Sequence, residues 1–274
     1  MGTLLKSTEL GLIVTYALRD LGRNYKKISS IVITLFISLF VLSSILTIEQ
    51  SLKKELNDNS RALLGGDLEI DYNRIPGNLT LVNKVKEFAT ISQMVEFSTM
   101  ISTNYKDNNQ SLFTRIKTVD ELYPLYGEVV YEPPGALKRI HQEQNTILVN
   151  ENIYKTLQLQ VNDKIKVQDQ LFTVVGMIKS VPDVSGFVAF GDFALAGKQT
   201  LELLQLNNLG SFLNHEYKVR FPEGANIQEM RTRVQVLFKE DRKVILKYPE
   251  NSASGLKRVI NNFSQFLSLV SISA

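Results

Sequence analysis

Residues 28–48 read ISSIVITLFISLFVLSSILTI, a run without a charged residue, a proline or a glycine. A helix of that length matches the ~20 residues that cross a ~30 Å hydrocarbon core. The polar groups within it are serine and threonine hydroxyls, which bond back to helix carbonyls and so cost little in lipid. A core helix of a soluble domain would keep a polar face, whereas this one is apolar all round. The stretch predicts a membrane-spanning helix and divides the chain into a short leading segment and a long body.

The leading segment sets the orientation. Five of the 31 basic residues (Lys6, Arg19, Arg23, Lys26 and Lys27) and two of the 28 acidic ones (Glu9 and Asp20) precede the helix. The formal net charge of +3 is therefore carried by residues 1–27, and the body beyond is neutral. The basic flank predicts a cytoplasmic N-terminus and an extracytoplasmic body. So local an excess also argues against nucleic acid as a partner, which needs a basic face on a folded domain. A cleaved signal peptide fits poorly. The leading segment is longer than an n-region, the apolar run exceeds the ~7–15 residues of an h-region, and Thr47-Ile48-Glu49-Gln50-Ser51 offers no small-x-small site. Within residues 1–27, Leu10, Ile13, Val14, Ala17 and Leu21 recur at helical spacing, which predicts an amphipathic helix at the cytoplasmic interface.

The far end mirrors the start. Residues 257–274 open with Lys257 and Arg258 and turn apolar at Phe263, Phe266, Leu267, Leu269 and Val270. The pattern predicts the beginning of a second membrane helix, cut short at Ala274.

Between the apolar ends the patterning is mixed. The first helix is expected to continue through Leu56, and Gly65-Gly66 to end it, opening a strand at 67–72. A turn at 74–78 leads to a helix on Leu79, Val82, Val85 and Phe88. Residues 91–103 and 111–119 read as a hairpin around the polar tip 104–110. The same order of strand, turn, helix and strand returns at 214–221, 222–225, 227–237 and 243–248. These two stretches (57–130 and 211–250) predict one porter-like α+β subdomain within an extracytoplasmic body of residues 49–256. The middle (131–210) is expected to form an inserted, mainly β subdomain. Its predicted elements are a strand at 147–149, a helix at 151–157, a hairpin from VNDKIKV and QLFTVVGMI, a strand at 187–190 and a helix at 193–206.

Composition removes whole classes of chemistry. Zero cysteines exclude disulfide scaffolds, thiolate metal sites and cysteine nucleophiles. Two histidines exclude a three-histidine metal site; His141 and His215 sit in polar surroundings and read as surface residues. No G-x-x-x-x-G-K-[ST] or G-x-S-x-G motif occurs. Leu64-Gly65-Gly66-Asp67 reads as a turn opening a strand rather than a phosphate loop. Asp120-Glu121 and Glu240-Asp241 read as loop charges, and the Arg115/Lys117 alternation as a solvated strand face. No catalytic, cofactor-binding or metal-binding residue emerges. The mean hydropathy of -0.04, ordinary for a soluble protein, averages an apolar anchor with a polar body.

Several long stretches carry a family resemblance. Tyr16-Ala17-Leu18-Arg19-Asp20-Leu21 resembles the helix that precedes the first span of FtsX-like, MacB-type ABC transporter permeases. NSRALLGGDLEI at 59–70, IKTVDELYPLYGEV at 116–129 and ILVNENIYKTLQLQVNDKIKV at 147–167 are similar to the YbbP-type branch, as is the helix at 257–270. The resemblance implies a first membrane helix, a MacB-type extracytoplasmic core domain and further helices. It also implies pairing with a second permease copy, separate cytoplasmic ABC ATPase subunits, and residence in the bacterial cytoplasmic (inner) membrane. The implied activity is export or extraction of a hydrophobic or lipid-linked substrate, with 52–63 and 252–259 as stalks that carry motion. A membrane-anchored adaptor that regulates an envelope enzyme, and a remnant of a split permease gene, are the alternatives. One departure is small: Asn162 precedes Asp163 where the family often places glycine.

Overall fold

A computed structural model describes residues 16, 19, 22–73, 77–103, 110–183, 191–206, 213–252 and 254–273. Most of the amphipathic leading helix, part of the 74–78 turn, most of the hairpin tip and the 187–190 strand lie outside the described residues. The chain forms two compact units, residues 1–55 with 257–274, and residues 56–256.

In the first unit, α1 (Tyr25–Asp58) is one unbroken helix. Thr34, Ser44 and Thr47 return their hydroxyls to the carbonyls of Ser30, Phe40 and Ser43 at 2.8–2.9 Å, which hides the polar groups of the apolar run. Ile31, Leu35, Phe36, Leu39 and Phe40 point outward and are exposed. A core helix would bury them, so this surface suits lipid, and the helix is long and apolar enough to cross a membrane. The second helix of the unit, α9 (Ser254–Ser273), meets α1 where Ser264 donates its hydroxyl to Glu49, which also pairs with Lys53 one turn on.

The second unit is built on a single ten-stranded sheet. Two strand–helix–strand units interleave at one end of it: β1 (Leu68–Asn73), α3 (Leu79–Lys86) and β2 (Thr90–Ser102), then β9 (Asn214–Arg220), α7 (Ile227–Leu237) and β10 (Ile245–Lys247). The order β10-β1-β9-β2 is antiparallel throughout, the arrangement of a split βαβ fold. Leu68, Ile70, Tyr72, Tyr217 and Val219 alternate onto one face and are buried with Val82, Val85 and Val234 of the two helices. Asn78 and Asn226 cap those helices by accepting from Leu81 N and from Gln228 N and Glu229 N.

The remaining strands close a ring. β3 (Ser111–Val119), β8 (Phe193–Gly197), β5 (Thr146–Asn150), β7 (Gln170–Ser180) and β6 (Lys164–Val167) follow β2 in that spatial order, and β6 pairs back onto β2. β4 (Val130–Glu132) lines the outside of β7. Phe97, Ile101, Ile116, Ile147, Val149, Phe172, Val174, Ala194 and Ala196 fill the interior. This core does not follow the chain boundary at residue 131, because β2 and β3 line the ring as well as the split βαβ sheet. Helix α4 (Ala136–Gln142) covers its outside, packing Ala136 and Ile140 with Leu148, Val175 and Leu195, while α5 (Glu151–Thr156) adds Ile153 to the interior cluster.

One element differs from expectation. Residues 193–206 form a strand, β8, followed by a single helical turn, α6 (Thr200–Leu203), rather than one helix. Residues 194–197 of FALAG are all buried because both faces of β8 are covered, Ala194 and Ala196 in the ring interior and Leu195 among the residues packed with α4, so its apolar run lacks the period-two signature. At the family's glycine position, Asn162 takes φ = 73°, the left-handed conformation that asparagine tolerates better than most residues.

Candidate functional site: a buried ionic layer

The alternation that buries Leu68, Ile70 and Tyr72 under the helices turns Glu69 and Asp71 to the opposite face of the sheet. β9 presents Glu216 and Lys218 there, β2 presents Glu96, β3 presents Arg115 and Lys117, and β10 presents Lys247. The register brings opposite charges together: Glu69 lies across from Lys247 and Lys218, and Glu96 across from Lys117. Lys247 Nζ stands 2.8 Å from Glu69 and 2.6 Å from Asp71, while Lys218 pairs with Glu69 and lies 3.3 Å from Glu216. Arg115 completes the row at 3.9 Å from Glu96.

A carboxylate from outside these strands joins them. Asp183, three residues past the end of β7, accepts from Lys117 Nζ at 2.7 Å and from the Tyr123 hydroxyl at 2.5 Å. Its side chain is 1% exposed and that of Lys117 14%. Two segments lie over this part of the layer, 121–129 and 181–183. Gly127 sits so close to Pro182 that a Cβ there would approach it to 2.5 Å, and a Cβ on Gly65 would lie 3.1 Å from the Cβ of Asp183. Gly65, at φ = 77°, ends α2 (Ser60–Leu64), the short helix that opens the body.

Electrostatics hold the charges in place. Burial penalises the ionised Asp183, but Lys117 and Lys218, with the two hydrogen bonds, outweigh it and hold the carboxyl at about 2. For Lys218 the same contest ends with the ammonium favoured, because Glu216, Glu69 and Asp183 overcome desolvation. Lys117 is raised in the same way by Asp183 and Glu216 against burial. Burial and the Asp183 charge push the Tyr123 phenol well above its usual range, so it remains a donor. At the margins burial prevails: Asp71 and Glu96 are both raised. Glu96, Arg115, Lys117, Tyr123 and Asp183 share a cavity of about 20 Å³, room for a single water.

A second polar cluster ties together the two ends of the body. α2 packs against α8 (Pro249–Ser252). Between them Arg231 of α7 donates to the Asp67 carbonyl at 3.1 Å and to Glu250 at 3.0 Å, and its guanidinium lies over Tyr248. Asp67 accepts from Phe221 N at 2.9 Å and the Tyr126 hydroxyl at 2.8 Å, with Arg61 at 3.3 Å. Burial, then the bond to Asp67, raises the Tyr126 phenol to about 12.

These arrangements hold segments together; neither pairs a nucleophile with a base. Leu64-Gly65-Gly66-Asp67 is the turn the sequence predicts. Asp120 accepts from Ser92 and Gln93, and Asp241 from Tyr72, as structural anchors. Two expectations are overturned. Lys117 is buried in an ion pair and Arg115 is partly covered, so their alternation does not mark a solvated face. His141 and His215 are half-buried rather than on the surface, and burial lowers both. Sequence reasoning also missed Glu69, Glu216, Lys218 and Asp183. A usable signal was present for Glu69 and Lys218: opposite charges on strands that pair in register.

Residues 30–237 match the MacB-like periplasmic core domain. The chain belongs to the MacB/FtsX-like permease family. Its relatives in this family include the "Uncharacterized ABC transporter permease YbbP" of Escherichia coli (strain K12), 26% identical over 191 residues. That match covers 69% of this chain and 22% of the relative's length. Among solved structures, the chain is similar to the periplasmic region of MacB from Actinobacillus actinomycetemcomitans (11% identity, TM-score 0.49, 76% of this chain and 98% of that one). It is also similar to a domain of a putative permease from Porphyromonas gingivalis (12% identity, TM-score 0.47, 69% and 93%). The fold is thus mixed α+β, an apolar N-terminal helix followed by a MacB-type core domain.

Proposed function

We propose that this chain is the N-terminal portion of an ABC transporter permease subunit in the bacterial cytoplasmic membrane, driven by a separate cytoplasmic ATPase and paired with a second permease copy. The observation that supports it is α1, an outward-facing apolar helix carried by the same chain as a MacB-type core domain. On this reading residues 1–27 stay in the cytoplasm, 28–48 cross the bilayer, 49–256 form the extracytoplasmic domain, and 257 onward re-enters the membrane. The porter-like parts are 57–130 and 211–250, with 131–210 inserted. The chain's own work is mechanical. Closure of the ATPase subunits is passed along the membrane helices to the core domain, which moves a hydrophobic or lipid-linked substrate at or beyond the outer surface of the membrane.

The test is reconstitution of the full-length protein with its ATPase in lipid vesicles. Substrate-dependent ATP turnover is expected, and turnover indifferent to every lipid-linked candidate would sink the reading. For orientation, a reporter active only outside the cytoplasm and fused after Glu250 is expected to be active; activity of a cytoplasm-only reporter there would invert the topology.

A further inference from the structure

The split βαβ sheet and the β ring share one hairpin, β2–β3. The long β2 pairs with β9 through residues 90–96 and with β6 at Ile101 and Ser102. A shared hairpin is a natural pivot: the sheet and the ring can twist against each other about it without breaking a strand pairing on either side. Something else must therefore fix their relative angle.

Asp183 is placed to do so. It belongs to the ring by covalent connection, following β7. Its carboxylate engages Lys117 on the shared hairpin, and its Cβ faces Gly65 on the βαβ side, the glycine that the Lys218 stem also approaches. Tyr123, which donates to its other oxygen, leads the 121–129 segment. In the same segment Tyr126 donates to Asp67 and lies under Arg220, while Gly127 packs between Pro182 and Ala62. The ring-side segment 181–183 and the sheet-side turn 64–67 thus meet at Asp183, the turn against its Cβ and Lys117 and Tyr123 on its carboxylate. Such a bond is strong while complete and costly when halved, because removing one partner leaves the others charged and dry.

We propose that Asp183 is the bolt of a latch between the β ring and the split βαβ sheet, pivoting on the β2–β3 hairpin. Closed, the two move as one body with the turn after α2. Released, the ring swings while both cores stay folded. Its use in transmitting motion rests on the permease reading, but the latch itself does not require an ATPase.

The chain contains no cysteine, so two can be introduced and spin-labelled without background. Labels at Val236 on α7 and Leu171 on β7, both exposed, report the angle between sheet and ring in the full chain in lipid nanodiscs. The unmodified protein is expected to give one narrow distance distribution. Asp183→Asn is expected to populate a second, displaced distance, raised roughly tenfold or more over its unmodified level, and Tyr123→Phe a smaller one. Lys155→Ala, which breaks an exposed pair with Glu151, is expected to leave the distribution unchanged. Amide exchange run in parallel is expected to keep β2 and β9 protected in each variant. A residue that only packs would loosen exchange near 181–183 without moving the labels. An unchanged distribution in Asp183→Asn with β2 and β9 protected overturns the latch. Should Asp183→Asn lose that protection, Tyr123→Phe decides alone, and an unchanged distribution there overturns it equally. Failure here leaves the permease reading standing, since no step depends on nucleotide or substrate.

Discussion

The two faces of the β10-β1-β9-β2-β3 sheet are made by the same alternation and held by opposite physics. On one, Leu68, Ile70, Tyr72, Tyr217 and Val219 lie beneath two capped helices, held by apolar burial that tolerates small shifts. On the other, Glu69, Lys218 and Asp183 are buried almost as completely and Lys117 mostly so, but each charge is tolerable only while its partner stays within hydrogen-bond reach. The first face stabilises by amount, the second by completeness.

The largest expected effect tests completeness. Lys117→Met leaves Asp183 anionic and under-paired, and should cost about 3–5 kcal/mol of unfolding free energy. Adding Asp183→Asn in the same chain should restore part of that loss, because the orphaned charge goes with it. Chemical denaturation followed by near-ultraviolet circular dichroism gives both numbers. Strict additivity of the two substitutions would mean the ionic face behaves like the apolar one.

Acid comes next. The folded pKa values of Asp183 and Glu216 are depressed, so their contribution is complete above the unfolded value of about 4. It is lost as pH falls from there, for Asp183 through about 2. Asp71 and Glu96 are raised and act in the opposite sense, gaining stability as they protonate. Stability should therefore hold or rise slightly on mild acidification and then fall steeply below about pH 4. In Asp183→Asn the steep part should shrink. An acid limb unchanged by that substitution would assign the loss elsewhere.

The smallest effect belongs to the apolar face. Asn78→Ala and Asn226→Ala each remove a side-chain cap from a helix over that face, and should cost about 1 kcal/mol apiece. The ionic face should not respond, and tyrosine ultraviolet absorbance, sensitive to the environment of Tyr123, should stay constant.

What could be read ahead of the structure follows the same division. The apolar run at 28–48 was legible from its unbroken length, and the alternation of Leu68, Ile70 and Tyr72 because hydrophobic periodicity reports directly on burial. The repeated strand–helix–strand order was legible for the same reason. Lys117 was misread because alternation tells which residues share a face but says nothing about what covers it. The cover is residues 121–129, just past β3, and 181–183, some 66 positions from Lys117, and Asp183 in SVPDV has no local feature that marks it as buried. FALAG was misread because a strand covered on both faces loses its period-two signature, and alanine and leucine favour helix when read alone. Ring closure was out of reach altogether, since it rests on two residue pairs between β6 and β2.

The shared hairpin has a practical corollary for anyone dissecting the protein. Excising 131–210 would strip β8, β5, β7 and β6 from β2 and β3, leaving Phe97, Ile101 and Ile116 facing water on an open sheet edge, the kind of surface that pairs with other chains. Expressing 131–210 alone would yield four strands of a six-stranded wall, unable to close. The architecture therefore admits no cut at 131 or 210: the ring is closed only by strands from both sides of those positions.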